Sequence, residues 1–149
     1  MGLTVAFQGQ TRFELSNGRH SVTTDQPKED GGEDAGMSPV ELFVASLAGC
    51  VGYFVARYCT RHGIPAEGFR IDTDWSMAEQ PHRVGRIQLR LHLPAGFPSS
   101  HQERLLKVAH GCTVHQSIIH APTIDIRCRL NHESIHQRSE SKSVSSGTG

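Results

Sequence analysis

Hydrophobic and polar residues alternate over the first 24 positions. Leu3, Val5 and Phe7 alternate with Thr4 and Ala6 until Gly9 breaks the run, and Phe13 and Leu15 alternate with Arg12 and Glu14. A period of two puts successive side chains on opposite faces of a strand, so this stretch predicts β-structure. Asn17-Gly18 follows, and because a type I′ turn needs positive φ at both central residues, the pair predicts a tight hairpin. Residues 25–37 (DQPKEDGGEDAGM) are polar, acidic and Gly-rich and read as a mobile loop.

The period changes at Ser38-Pro39-Val40-Glu41. Ser38 can cap a helix, Pro39 fits its first position, and Glu41 completes a capping box. The helix is predicted to run to about His62, with Arg57, Arg61 and His62 suiting the negative end of its dipole and Gly63 and Pro65 stopping it. It is about 36 Å long. No charged residue stands between Leu42 and Ala56. That stretch is shorter than the roughly 20 residues a bilayer span needs, so a buried helix is expected rather than a membrane one. Its first four turns are apolar on every side and must be covered on every side. Ala45, Ala48, Gly49 and Gly52 would let other backbones approach closely.

Two strands are predicted next. Phe69, Ile71, Thr73, Trp75 and Met77 form one face, and Ile87, Leu89, Leu91 and Leu93 another, joined by a loop near Gln80-Pro81-His82. Ser100-His101-Gln102-Glu103 reads as a second capping box opening a helix with Leu105, Leu106, Val108 and Ala109 inward. Gly111 ends that helix, and a short one runs from Cys112 to about His120. A last strand is expected at Ile124–Leu130, with Ile124, Ile126, Cys128 and Leu130 on its apolar face. The order is βββ-α-ββ-αα-β, an α+β domain over residues 1–131. The Ser/Gly-rich stretch 132–149 reads as a disordered tail.

Composition narrows the function classes. Lys+Arg and Asp+Glu are both 15 in 149 residues, which argues against a dedicated nucleic-acid binder or a polybasic membrane-surface protein. Four Cys are too few for a disulfide scaffold. The first ten residues carry neither a basic n-region nor a long apolar h-region, so a cytoplasmic location is expected. No phosphate-binding Gly loop, nucleophile-elbow Ser or His-Glu-x-x-His occurs, and no cofactor is expected.

The candidate chemistry lies in the thiols. Cys50, mid-way along the apolar helix, reads by itself as a small core hydrophobe whose pKa burial would raise. Cys112 opens a helix, where free backbone N–H groups lower a thiol's pKa; local physics therefore makes it the better thiolate. Cys59 stands two and a half turns from Cys50, on the opposite helix face, and Cys128 reads as strand packing. His110, Cys112 and His115 have good zinc-ligand chemistry but no specific metal-site spacing, and no metal is expected there.

The run Ser38-Pro39-x-Glu41-Leu42-Phe43-x-Ala45-Ser46-Leu47-Ala48-Gly49-Cys50 resembles the central-helix motif of the OsmC-like family, which includes the organic hydroperoxide resistance proteins. Arg83-Val84-Gly85-Arg86-Ile87, Gly111-Cys112-Thr113-Val114 and Ile124-Asp125-Ile126 fall in the order that family shows. The resemblance implies an intertwined homodimer with the long helices buried between two sheets. It implies reduction of organic hydroperoxides, with Cys50 as the peroxidatic and Cys112 as the resolving cysteine, a Cys50–Cys112 disulfide, and an external dithiol as reductant. This reverses the ranking from local electrostatics. The family's active-site Glu position holds Val40 here, with Glu41 one residue later, and Arg12 or Arg19 stands nearest the place of its active-site Arg. The alternative is a non-enzymatic homodimer that binds a small apolar ligand or a metal, its cysteines serving as packing or ligands.

Overall fold

The computed structural model describes residues 2–130. The tail expected at 132–149 lies outside the described residues. The described residues form two antiparallel sheets and three α-helices in the order β1 (Thr4–Gly9), β2 (Arg12–Ser16), β3 (Ser21–Thr24), α1 (Pro39–His62), β4 (Arg70–Ala78), β5 (Arg83–His92), α2 (Gln102–His110) and α3 (Thr113–Ile119). This is the α+β class the sequence implies, without the final strand.

The N-terminal sheet is ordered β1-β2-β3. Register pairs Val5 with Leu15 and Leu15 with Val22, and Phe7 with Phe13 and Phe13 with Thr24. Each row of three points to one face, so that face is apolar. Phe7 and Phe13 meet edge to face with centroids 5.6 Å apart. The β2–β3 connection has four residues rather than the two expected. Only Gly18 takes a positive φ, 84°. The Asn17 side-chain carbonyl accepts the N–H groups of Arg19 and His20 at 3.0 and 2.9 Å, so it organises a longer loop of its own.

The segment read as a mobile loop is pinned. Asp25 is buried, and its carboxylate accepts the Thr11 hydroxyl at 2.6 Å and the N–H groups of Gln26, Glu33 and Ala35 at 2.9, 3.0 and 3.3 Å. The Thr24 hydroxyl donates to the Met37 carbonyl at 2.7 Å. The two glycines the loop needs are Gly32 and Gly36, where a Cβ would overlap the backbone carbonyls of Gln26 and Thr23. A buried acceptor with four donors outweighs the polar, Gly-rich composition on which mobility was expected.

Helix α1 begins as its sequence dictates. The Ser38 hydroxyl accepts the Glu41 N–H at 3.3 Å, the Glu41 carboxylate accepts the Ser38 N–H at 2.7 Å, and Gly63 closes the other end with φ 63°. Val44, Leu47, Val51, Val55, Tyr58 and Cys59 form its buried stripe. All but Val44 join Ile64, Leu105, Ala109 and Cys112 in one core, covered on one side by Ile71, Ile87, Leu89 and Leu91 of the β4–β5 sheet. The expected all-round cover is absent within one chain. Phe43 and Tyr53 on the outer flank are 41% and 59% exposed, and Ala45, Gly49 and Ala56 beside them are exposed too. The N-terminal sheet makes no substantial packing contact with α1 or with the other sheet.

Three further expectations differ. Helix α2 is entered through a 3-10 turn, Ser99–His101, whose His101 N–H bonds the Pro98 carbonyl, and no side chain caps it. Ser100 lies inside that turn and His101 takes the position before α2, so the second capping box does not form. Leu106 is turned outward, 45% exposed, while Leu105 and Ala109 are buried. Residues 121–130 run without strand pairing, with Ile124, Ile126 and Leu130 at least 78% exposed, and Cys128 is exposed rather than packed. Alternation supplies an apolar face there, but no sheet edge of this chain comes to meet it.

The Thr11 hydroxyl, with the three backbone N–H groups, draws the Asp25 pKa down from 3.8 to about 2 against the opposing effect of burial. A carboxyl depressed by folding stabilises fully above its unfolded pKa and loses that contribution as pH falls through the folded one. Acid titration of urea unfolding is therefore expected to show wild-type stability falling between about pH 4 and pH 2, and Asp25→Asn lacking this part of the slope.

Candidate functional site

The two cysteines of interest reach one place from different elements. Cys50 sits mid-way along α1, half-buried, and packs against the core. Cys112 arrives through the α2–α3 corner. The Gly111 N–H closes α2 on the Lys107 and Val108 carbonyls, and the Cys112 N–H follows onto Ala109 at 3.2 Å. Cys112 then takes an extended conformation as the residue that caps α3, and its Sγ accepts the His115 N–H at 3.3 Å. Both α2 and α3 pack on α1, which places the Cys112 thiol next to the Cys50 thiol. Both are free thiols.

The electrostatics of Cys112 correct the expectation drawn from its helix position. The cap geometry is present, and the N–H groups of His115 and Val114 favour the thiolate. Cys112 is nevertheless 0% exposed, and burial, the largest influence, together with the adjacent Cys50 thiol, raises its pKa. Desolvation of a charged sulfur exceeds what two N–H groups return. Cys59 lies in the core, where burial raises its thiol as well.

Between α1, β5 and α2 opens a cleft of about 270 Å³. Its walls include Leu47 and Val51, which flank Cys50 along α1, with Leu89 and Leu91 opposite and His110 and His115 at one end. The two imidazoles are 5.4 Å apart, centroid to centroid. Among the described residues, no group of three or more His, Cys, Asp or Glu side chains is arranged to hold a metal ion.

The other residues named from the sequence stand elsewhere. Glu41 is committed to the helix cap. Arg12 pairs with Glu33 at 3.2 Å, and Arg19 lies in the β2–β3 loop, both on the sheet that does not pack on α1. Sequence reasoning missed a polar contact at the far end of α1. The Tyr58 hydroxyl and His101 Nδ1 are 2.8 Å apart, and the Tyr58 and His62 rings meet at a tilt of 45°, centroids 4.3 Å apart. The i,i+4 spacing of Tyr58 and His62 was its one visible signal.

A long apolar helix backed by an antiparallel pair, with one thiol on the helix and another at a following helix cap, describes the OsmC-like class of proteins. The family model for OsmC-like proteins matches residues 31–127, and the chain belongs to that family. Solved structures share the fold. A candidate osmotic stress induced and detoxification response protein from Psychrobacter arcticus superposes with a TM-score of 0.72 at 23% identity, covering 77% of this chain and 85% of its own. An organic hydroperoxide resistance protein OsmC from Legionella pneumophila gives 0.61 at 23% identity, covering 79% and 89%. An OsmC-like protein from Mycoplasma pneumoniae gives 0.69 at 13% identity, covering 80% and 87%. No curated protein matches the sequence.

The burial order of the four thiols sets an order of reactivity. Under native conditions, iodoacetamide followed by peptide mass spectrometry is expected to label Cys128 first and Cys50 more slowly. Cys59 and Cys112 should be protected until the fold opens. Labelling of Cys112 as fast as Cys128 would contradict the buried cap.

Proposed function

We propose that the protein is a thiol-dependent peroxidase that reduces organic hydroperoxides. One observation carries this reading: a half-buried thiol and a fully buried thiol, from different elements, are neighbours, and Leu47 and Val51 on either side of Cys50 line an apolar cleft. In the proposed cycle the Cys50 thiolate attacks the terminal peroxide oxygen. The O–O bond breaks, the alcohol leaves with a proton, and Cys50 becomes a sulfenic acid. The Cys112 sulfur then attacks the sulfenic sulfur, water leaves, and a Cys50–Cys112 disulfide forms. An external dithiol reduces that disulfide and is itself oxidised, which suits the reducing conditions of the cytoplasm. The apolar walls favour an organic peroxide over hydrogen peroxide.

The same reading includes a homodimer. One chain leaves two apolar surfaces in water: the outer flank of α1 around Phe43 and Tyr53, and the face of the N-terminal sheet bearing Val5, Phe7 and Val22. A second copy laying its sheet against α1 would cover both, and such isologous exchange closes on itself. Light scattering is expected to give twice 16.4 kDa at micromolar concentration; a stable monomer there would overturn the arrangement.

The cleft itself favours a second reading, a binding protein for a small apolar ligand with the thiols as packing. Thiol titration separates the two. With cumene hydroperoxide, the peroxidase is expected to lose two thiols per chain rapidly, and a binding protein none. Cys50→Ser should abolish peroxide consumption, whereas Cys112→Ser should complete a single turnover and leave a sulfenic acid that dimedone traps. Equal consumption by Cys50→Ser and wild type would refute the mechanism.

A further inference from the structure

A second groove lies beyond the thiols. It has a volume of about 420 Å³ and opens between the C-terminal half of α1 and the α2–α3 corner, with Phe54, Tyr58 and Val108 as apolar walls and Arg57, Arg61 and His62 at the rim. Phe54 and Val108 are half-buried, whereas both arginines are exposed. Among the described residues neither guanidinium has an ion-pair or hydrogen-bond partner; Arg19, Arg86, Arg104 and Arg129 are unpaired too, but Arg57 and Arg61 stand together over one groove. The helix dipole accounts for Arg61, in the last turn of α1. It does not account for Arg57, a full turn earlier, because the effect fades within that last turn. Two like charges four residues apart also repel one another. Two unpaired guanidinium forks over an apolar wall form a surface that lacks an anion.

We propose that this groove binds an aliphatic carboxylate, its head held by Arg57 and Arg61 and its chain lying against Phe54 and Val108. A guanidinium presents parallel N–H donors that match a carboxylate, and two of them over one groove fix its position. The groove volume falls in the range of small-ligand clefts. The orientation of the chain follows from the helix. Cys50, Phe54, Arg57 and Arg61 are spaced by four, three and four residues, so they form one stripe along α1. At 1.5 Å per residue, Arg57 stands about 10 Å along the axis from Cys50. A ligand chain that leaves Arg57 and follows Phe54 therefore runs towards the paired thiols. The stripe lies at the border between the core face of α1 and its outer flank, and Val108 and Gly111, the groove's α2–α3 wall, belong to the same chain.

The test is calorimetric titration of the full-length protein with octanoate and with octanamide, which has the same chain and no charge. It contains no peroxide, so its outcome is independent of the Cys50 chemistry. Octanoate is expected to bind at least about tenfold more tightly than octanamide. Arg57→Gln with Arg61→Gln should erase that difference while leaving octanamide binding unchanged. Arg57→Lys with Arg61→Lys should keep a preference for octanoate. Both positions are exposed, and the thermal midpoint of each variant verifies the fold. Equal affinities for the two ligands in the wild type, binding of neither, or a preference that survives the double Gln variant would overturn the proposal.

Discussion

Helix α1 has to be shielded from water along most of its length, and one chain shields only one side of it. The inner stripe from Val44 to Cys59 is closed by the β4–β5 sheet and by α2 and α3. The outer flank, rich in small residues and carrying Phe43 and Tyr53, is left exposed by the described residues. Burial of apolar area is the dominant favourable contribution to folding, so a helix of this composition sets the terms for every other element. The sheet that could supply cover, β1–β3, carries an apolar face and, among the described residues, makes no substantial packing contact with α1 or with the β4–β5 sheet. The two unsatisfied surfaces are complementary in kind, one flat and one ribbed by glycine and alanine.

The thiol pair depends on the same helix. Cys112 has the local signature of an activated cysteine, a cap position with N–H groups aimed at its sulfur. The packing of α2 and α3 on α1 removes it from water and reverses the balance, so the thiol is held up rather than down. A buried, neutral thiol beside a half-buried one gives the two sulfurs different exposures. An attacking sulfur must meet its substrate, whereas a sulfur that only condenses with its neighbour need not meet solvent.

Much of this was legible in the sequence where the signal is local. The capping box at Ser38 and Glu41, the Gly63 stop and the alternation in β4 and β5 rest on residues within a few positions of one another, and each is found where its pattern places it. The 25–37 loop was misread because its order comes from Thr11, fourteen residues before Asp25, and from close backbone approaches that only Gly32 and Gly36 permit. The alternation from Ile124 to Leu130 is a real strand pattern without a partner edge, and pairing is not a property of the strand alone. The proximity of Cys50 and Cys112 was legible only through family resemblance; their spacing along the chain carries no geometry. The exposed arginines of α1 read as a dipole signal and hid the groove behind them.

The contact between Tyr58 and His101 has a mechanical side. It ties the start of α2 to the far half of α1, while Cys112 hangs at the other end of the same helix. Helix α2 has nine residues and so forms an arm about 13.5 Å long. A tilt of about 10° about its tethered end swings Cys112 through roughly 2 Å, close to the difference between two sulfurs in van der Waals contact and two sulfurs bonded at about 2.05 Å. For the proposed disulfide, α2 would then need only a small tilt as a rigid rod, without unwinding either helix.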